Sequence, residues 1–131
     1  MAFVVVCVAG LFLCTGLVLD GGLVLAGKVD AEDEAQEAAR VGSQHVDLVR
    51  LRDSRDVRLD GPQAEQAALT YVRSVGDTGR ARAGGDTVTV TVTHRQTMQI
   101  LSLLGIHDLV ATATATARAE QGVSGPFAGS R

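Results

Sequence analysis

The sequence predicts an α+β fold: a single N-terminal transmembrane helix continuing into a long amphipathic helix, then a short helix packed on a small, about three-stranded antiparallel sheet. Three observations predict it. Residues 2–19 are apolar and carry no charge. From Ala31 to Val49, small and apolar residues recur at steps of three and four, the spacing of one helix face. Towards the C-terminus, residues 87–93 and 109–117 alternate one by one, as strands with one buried face do.

The apolar run comes first. Eighteen helical residues reach about 27 Å, close to the roughly 30 Å hydrocarbon thickness of a bilayer. Asp20 follows at its edge, then Gly21-Gly22 and a second apolar patch over 23–27. A charge at mid-membrane costs roughly 3 kcal/mol, and each Leu, Val or Phe returns roughly 0.3–0.6 on the same scale. With Phe3, Val4, Val5, Val6, Val8, Leu11, Phe12, Leu13, Leu17, Val18 and Leu19 in the segment, insertion wins. A secretory signal peptide is the rival reading, because Val24 and Ala26 fit a small-residue cleavage site; the run is longer than such a segment needs, and no basic residue precedes it.

Beyond Lys28, Ala31, Ala35, Ala38, Ala39, Gly42, Val46 and Val49 share a face, with Asp30, Glu32, Asp33, Glu34, Gln36, Glu37 and Arg40 on a solvated opposite side. One long helix through both parts is expected. A break at Gly21-Gly22 is the alternative, since glycine costs about 1 kcal/mol in a helix interior. Residues 53–56 read as a polar connector. Asp60-Gly61-Pro62-Gln63 is a helix start, with Asp60 as cap, Pro62 in the first turn and Gln63 as a capping-box partner. Ala64, Ala67, Ala68, Tyr71, Val72 and Val75 form the apolar face, with Tyr71 as a core anchor, and Gly76 ends the helix. Residues 80–83, Gly84-Gly85 and 87–93 form a hairpin with a two-residue turn. Val88, Val90 and Val92 point inwards and the intervening threonines out. In the last strand Leu109, Ala111, Ala113, Ala115 and Ala117 share a side, small enough for a helix to pack close. These readings divide the chain into a transmembrane segment over 1–27, an amphipathic continuation over 28–52, a small α+β domain over 53–119 and a flexible tail over 120–131.

Composition narrows the function. Among 131 residues the aromatics are Phe3, Phe12, Tyr71 and Phe127, so the water-facing core must be built from Ala, Val and Leu. A net charge of −3 with no basic stripe argues against nucleic acid. Cys7 and Cys14 lie in the apolar run about 10 Å apart along a helix, too far to pair with each other. His45, His94 and His107 lack the near neighbours that helical metal sites use. The acids at 30–34 lack the glycine and oxygen spacing of a calcium loop, and a solvated helix face explains them. No catalytic set, cofactor site, metal site or small-molecule substrate is expected, and the chain does not read as an enzyme.

Interaction surfaces are expected instead. Cys7, Gly10, Cys14 and Gly21 fall within roughly 60° around a helix. Small residues let helices approach closely in lipid, so this is either a docking stripe or a chance cluster in an Ala/Gly/Val-rich chain. Asp20 is either a pairing carboxylate within the membrane or a residue at its outer edge that reaches water, and the edge is the favoured reading. The segment over 97–107 is too apolar for an ordinary connector. Its Leu101, Leu103, Leu104 and Ile106 either plug the open end of the sheet or form an exposed patch for a partner.

The run Leu17-Val18-Leu19-Asp20-Gly21-Gly22 followed by Ala35-Gln36-Glu37-Ala38-Ala39-Arg40-Val41-Gly42 resembles the small pseudopilins of tight-adherence (Tad) pilus systems, of TadE/TadG type. Val57-Arg58-Leu59-Asp60, the Val/Thr strand and the closing Thr/Ala strand also look like that family, so the resemblance covers nearly the whole chain. It implies a pilin-like shape and a structural role as a minor pseudopilin. It further implies a cytoplasmic N-terminus, an extracytoplasmic C-terminal domain, and other pilins and assembly-platform proteins as partners. The chain departs from processed pilins: Met1 leads straight into Ala2-Phe3-Val4-Val5-Val6, with no charged leader ending in glycine and no early acid. Either processing is absent or the start lies upstream. A membrane-tethered or secreted extracytoplasmic binding module unrelated to pili is the alternative.

Overall fold

The computed structural model describes residues 1–54, 56–97, 105 and 108–120. Helix α1 spans Ala2–Ser43, α2 Leu48–Ser54 and α3 Gly61–Ser74; strands β1 (Thr78–Gly84), β2 (Thr87–Thr97) and β3 (Asp108–Arg118) follow. The strands form one antiparallel sheet in the order β1-β2-β3. The α+β class, the N-terminal helix and the sheet thus match the expectation from sequence. No break interrupts α1 at Gly21-Gly22.

Two boundaries move. The first helix ends at Ser43, not in the low fifties. Past Gln44 the backbone finds other partners: Val46 bridges Leu59, Asp60 N–H donates to the His45 carbonyl (2.9 Å) and Asp47 N–H to that of Arg58 (2.8 Å). Asp47 then starts a new helix, its Oδ1 accepting from the N–H groups of Val49 (3.1 Å) and Arg50 (3.2 Å), the local competition that short acidic side chains offer. Val46 still packs on the core, whereas Val49 is exposed. Second, the register Gly84↔Thr87 makes the turn Gly85-Asp86 rather than Gly84-Gly85, with Gly85 at φ +63°, the left-handed geometry such hairpins need. The strands also run longer than expected, β1 from Thr78 and β2 to Thr97.

The core lies between α1, α3 and the inner sheet face. Val72, Val88, Val90 and Val92 are its largest wholly buried apolar side chains, surrounded by Ala31, Ala35, Ala38, Ala39, Ala64, Ala68, Leu59 and Ala113. Helix α1 covers β2 and β3, while α3 packs on α1 and β1; the first helix, not the shorter one, is the main cover of the sheet. Alanine makes this possible by bringing backbones close. At Gly42 even a methyl would sit 3.0 Å from the Ala64 carbonyl and 3.2 Å from Val88. Tyr71 flanks this core, half-buried. On the outer face, Thr89 bonds Thr116 (2.9 Å) and Thr91 bonds Thr114 (3.0 Å), cross-strand pairs that hold β2 to β3.

The ends of α3 follow the expected cap and stop signals, but not the reciprocal half of the capping box: Asp60 N–H donates to the His45 carbonyl instead of to the Gln63 side chain. Asp60 Oδ1 accepts from Gln63 N–H at 3.3 Å with Pro62 in the first turn. At the other end Gly76 adopts φ +93°, Gly76 N–H donates to Arg73 (3.1 Å) and Asp77 N–H to Val72 (3.2 Å). That pair of bonds is a Schellman closure, and it fixes where Asp77 stands.

Candidate functional site: an exposed helix and a buried polar cluster

Two features of α1 bear on function, one in each half. In the N-terminal half, Phe3 (79% exposed), Val4, Val5, Val6, Leu11, Phe12, Leu13, Leu17, Val18 and Leu19 all stand open to solvent. Apolar side chains in such number are not left in water by a soluble domain. This helix is long and apolar enough to cross a membrane. Its buried face is narrow and passes through Gly16, Asp20, Gly27, Ala31 and Ala35.

The expected docking stripe is on a different side. At about 100° per residue, Cys7, Gly10, Cys14 and Gly21 lie roughly a third of a turn from that buried face. Both cysteines and Gly21 are exposed, Gly10 is half-buried, and a methyl added at Gly10 or Gly21 would meet nothing within 4 Å among the described residues. The stripe is therefore open for packing. Asp20 is 1% exposed, which corrects the favoured expectation that it reaches water: it sits four residues after Gly16 and seven before Gly27, on the face that α1 turns inwards. Leu101, Leu103, Leu104 and Ile106 lie outside the described residues, as does the tail from residue 121.

The second feature is a polar cluster where the valine core gives out. The inward row of β2 runs Val88, Val90, Val92 and then His94 and Gln96. Gly27 of α1 makes room, its missing methyl lying 3.4 Å from the His94 ring and 3.6 Å from Gln96 Oε1. His94 Nδ1 faces both oxygens of Asp77, at 3.0 and 2.8 Å, and Nε2 is 3.3 Å from Gln96 Oε1. Glu34 reaches in from α1, so that Glu34, Asp77 and His94 each bring a donor atom within 4.8 Å of the others. Helix α1, the turn after α3 and strand β2 thus meet at three titratable side chains.

Their charges are coupled. Burial, then the adjoining Asp77 carboxylate, pushes the Glu34 carboxyl up to about 7. The hydrogen bond that His94 Nδ1–H donates to Asp77 raises His94 above its ordinary value against the opposing effect of burial. Glu34 Oε2 is buried with no hydrogen-bond partner among the described residues, and a proton on this carboxyl, favoured by the Asp77 carboxylate beside it, relieves it.

Sequence reasoning places Glu34 on a solvated face and leaves His94 alone, and the structure corrects both. The signals are present in retrospect. Glu34 lies three residues after Ala31 and four before Ala38, within reach of the buried face, and His94 keeps the parity of Val88, Val90 and Val92. Asp77 and His94 stand 17 positions apart in the chain, and no local signal points to their meeting. An open groove of about 660 Å³ runs between α1 and α3, lined by Val41, His45, Gln66, Tyr71 and Ser74 among others, and brings no second such cluster among the described residues. No family model, curated protein or solved structure matches this chain.

Proposed function

We propose that this chain is a membrane-anchored minor pseudopilin, a structural component of a Tad-type (type IV-like) pilus or secretion assembly that acts through helix–helix packing. The observation that carries the reading is the divided character of α1, whose first half presents apolar side chains outward while its second half is the main cover of the sheet. A helix built this way anchors a small domain in a bilayer and passes any displacement of the anchor directly to that domain. The open stripe at Cys7, Gly10, Cys14 and Gly21 supports a helical partner, because small residues allow the close backbone approach on which association in lipid depends. The buried face extending back to Asp20 and Gly16 supports retention of this segment, since cleavage near Val24–Ala26 would discard residues already engaged in burial. In this reading the N-terminus is cytoplasmic and the sheet domain extracytoplasmic.

Expression of the tagged full chain with a Tad pilin and its platform proteins tests the proposal. Recovery in the carbonate-resistant membrane fraction, with the intact N-terminal helix by mass and with pilin or platform protein co-purifying from detergent, is the expected result. A freely soluble product lacking its first two dozen residues would overturn it.

A further inference from the structure

We propose that Glu34, Asp77 and His94 form a binding site for a zinc-class divalent cation at the junction of α1, the α3–β1 turn and β2. The three donor atoms already lie within 4.8 Å of one another. Zinc–nitrogen and zinc–oxygen bonds of roughly 2.0–2.2 Å set tetrahedral donor separations near 3.4 Å, so closure needs side-chain adjustments of about an ångström. Each ligand comes from a separate, well-anchored element. Glu34 rides on a helix seated through Ala31, Ala35 and Ala38, Asp77 is fixed by the Schellman closure, and His94 extends the valine row of β2.

The surroundings suit a metal ligand better than a simple ion pair. Gln96 Oε1, 3.3 Å from His94 Nε2, accepts that N–H and turns Nδ1 towards the two carboxylates. A ligating histidine is oriented in just this way, by a polar acceptor on its far nitrogen. The Asp77 side chain is 9% exposed and that of His94 23%, so the cluster is largely shielded while solvent still reaches it to supply a water as a further ligand. The buried Glu34 Oε2 lacks a partner among the described residues, and a cation supplies one. Nitrogen among the donors and only three protein ligands disfavour calcium, which takes six to eight oxygens.

Coordination requires the Nδ1 lone pair and both carboxylates in their ionised forms, so any proton held on these three groups passes to solvent as the cation binds.

The test uses the full chain in detergent micelles with Cys7→Ser and Cys14→Ser, which removes thiols that would also bind zinc. After treatment with chelator, zinc chloride is titrated in competition with a chromophoric chelator, and the loaded protein is measured by X-ray absorption. The expected result is one equivalent bound at micromolar or tighter affinity, with a shell of oxygen and a single imidazole nitrogen. Glu34→Gln, Asp77→Asn and His94→Gln each weaken binding at least about tenfold, and the positioning variant Gln96→Ala weakens it roughly tenfold. Asp86→Asn, in the hairpin turn at the far end of β2 from His94, leaves it unchanged. Circular dichroism checks that the variants fold, and the absorption spectrum of the chain with Glu34, Asp77 and His94 intact does not depend on them. Absence of stoichiometric binding, a shell without imidazole, or affinity unaffected by His94→Gln would overturn the site and leave the cluster as a proton-bridged tether only.

Discussion

Removing the ionisable group at Glu34 should change how stability depends on pH. Glu34 titrates near 4.5 in the unfolded chain and at about 7 in the folded one, so between those values the folded state holds a proton that the unfolded state has lost. Stability from this group is therefore highest below about pH 4.5 and falls as pH rises through 7. His94, also raised, acts in the same direction: its contribution is complete below its ordinary value of 6.5 and is lost as pH rises through its higher folded value. The groups facing Glu34 are Asp77 from the α3–β1 turn, His94 from β2 and Asp30 from its own helix. A full shift of this size converts to at most about 3 kcal/mol, and partial solvent access at a half-buried site reduces that to on the order of 1–2. Denaturant unfolding of the full chain in micelles with chelator present, at intervals from pH 4.5 to 8, measures it. Wild type should lose on the order of 1–2 kcal/mol relative to Glu34→Gln across that range, with the two curves converging at the acid end. Parallel curves, or a wild type that gains on the variant as pH rises, would refute the proposed coupling of burial and like charge at Glu34.

Three further outcomes follow from the fold. Gly10→Leu should leave membrane insertion intact and lower the yield of assembled complex, read by carbonate extraction against co-purification; equal yields would remove the stripe as a docking surface. Val90→Ala takes two methyl groups from a site with no solvent exposure and should cost about 2 kcal/mol, while Val110→Ala, half exposed on β3, should stay within about 0.5; urea midpoints at constant slope distinguish them. Gly76→Ala forces a side chain to φ +93° and should destabilise by about 1 kcal/mol, visible as a lower thermal midpoint.

Local signals carried most of the fold. Asp60, Pro62 and Gly76 punctuate α3 through hydrogen bonds within a few residues of themselves, and the alternation of valine with threonine dictates which face of β2 is buried. Periodicity was a poorer guide where tertiary pairing intervened. Val46 and Val49 continue the helical spacing, yet the bridge from Val46 to Leu59 and the Asp47 cap end the helix before either. The polar cluster was least legible, because its cause is nonlocal. Glu34 and Asp77 look like surface acids until α1 and the closing turn of α3 are brought against the same end of β2, and only then does burial raise one and pair the other with His94.

The core and the exposed apolar segment share a helix, and this limits how the two can move. Alanines and Gly42 seat α1 so closely on α3 and β2 that the sheet cannot turn freely about the helix. No break interrupts α1 at Gly21-Gly22 to serve as a hinge. A tethered receptor gains reach from a flexible stalk; this chain forgoes it. For the proposed pseudopilin, a rigid junction offers instead a fixed orientation of the sheet relative to whatever packs against residues 2–19. Glu34, Asp77 and His94 stand at that junction, joining the helix to the sheet at the last turns before the apolar segment. Any loss there, by proton or by substitution, should loosen the hold of α1 on the sheet before it unfolds the valine core.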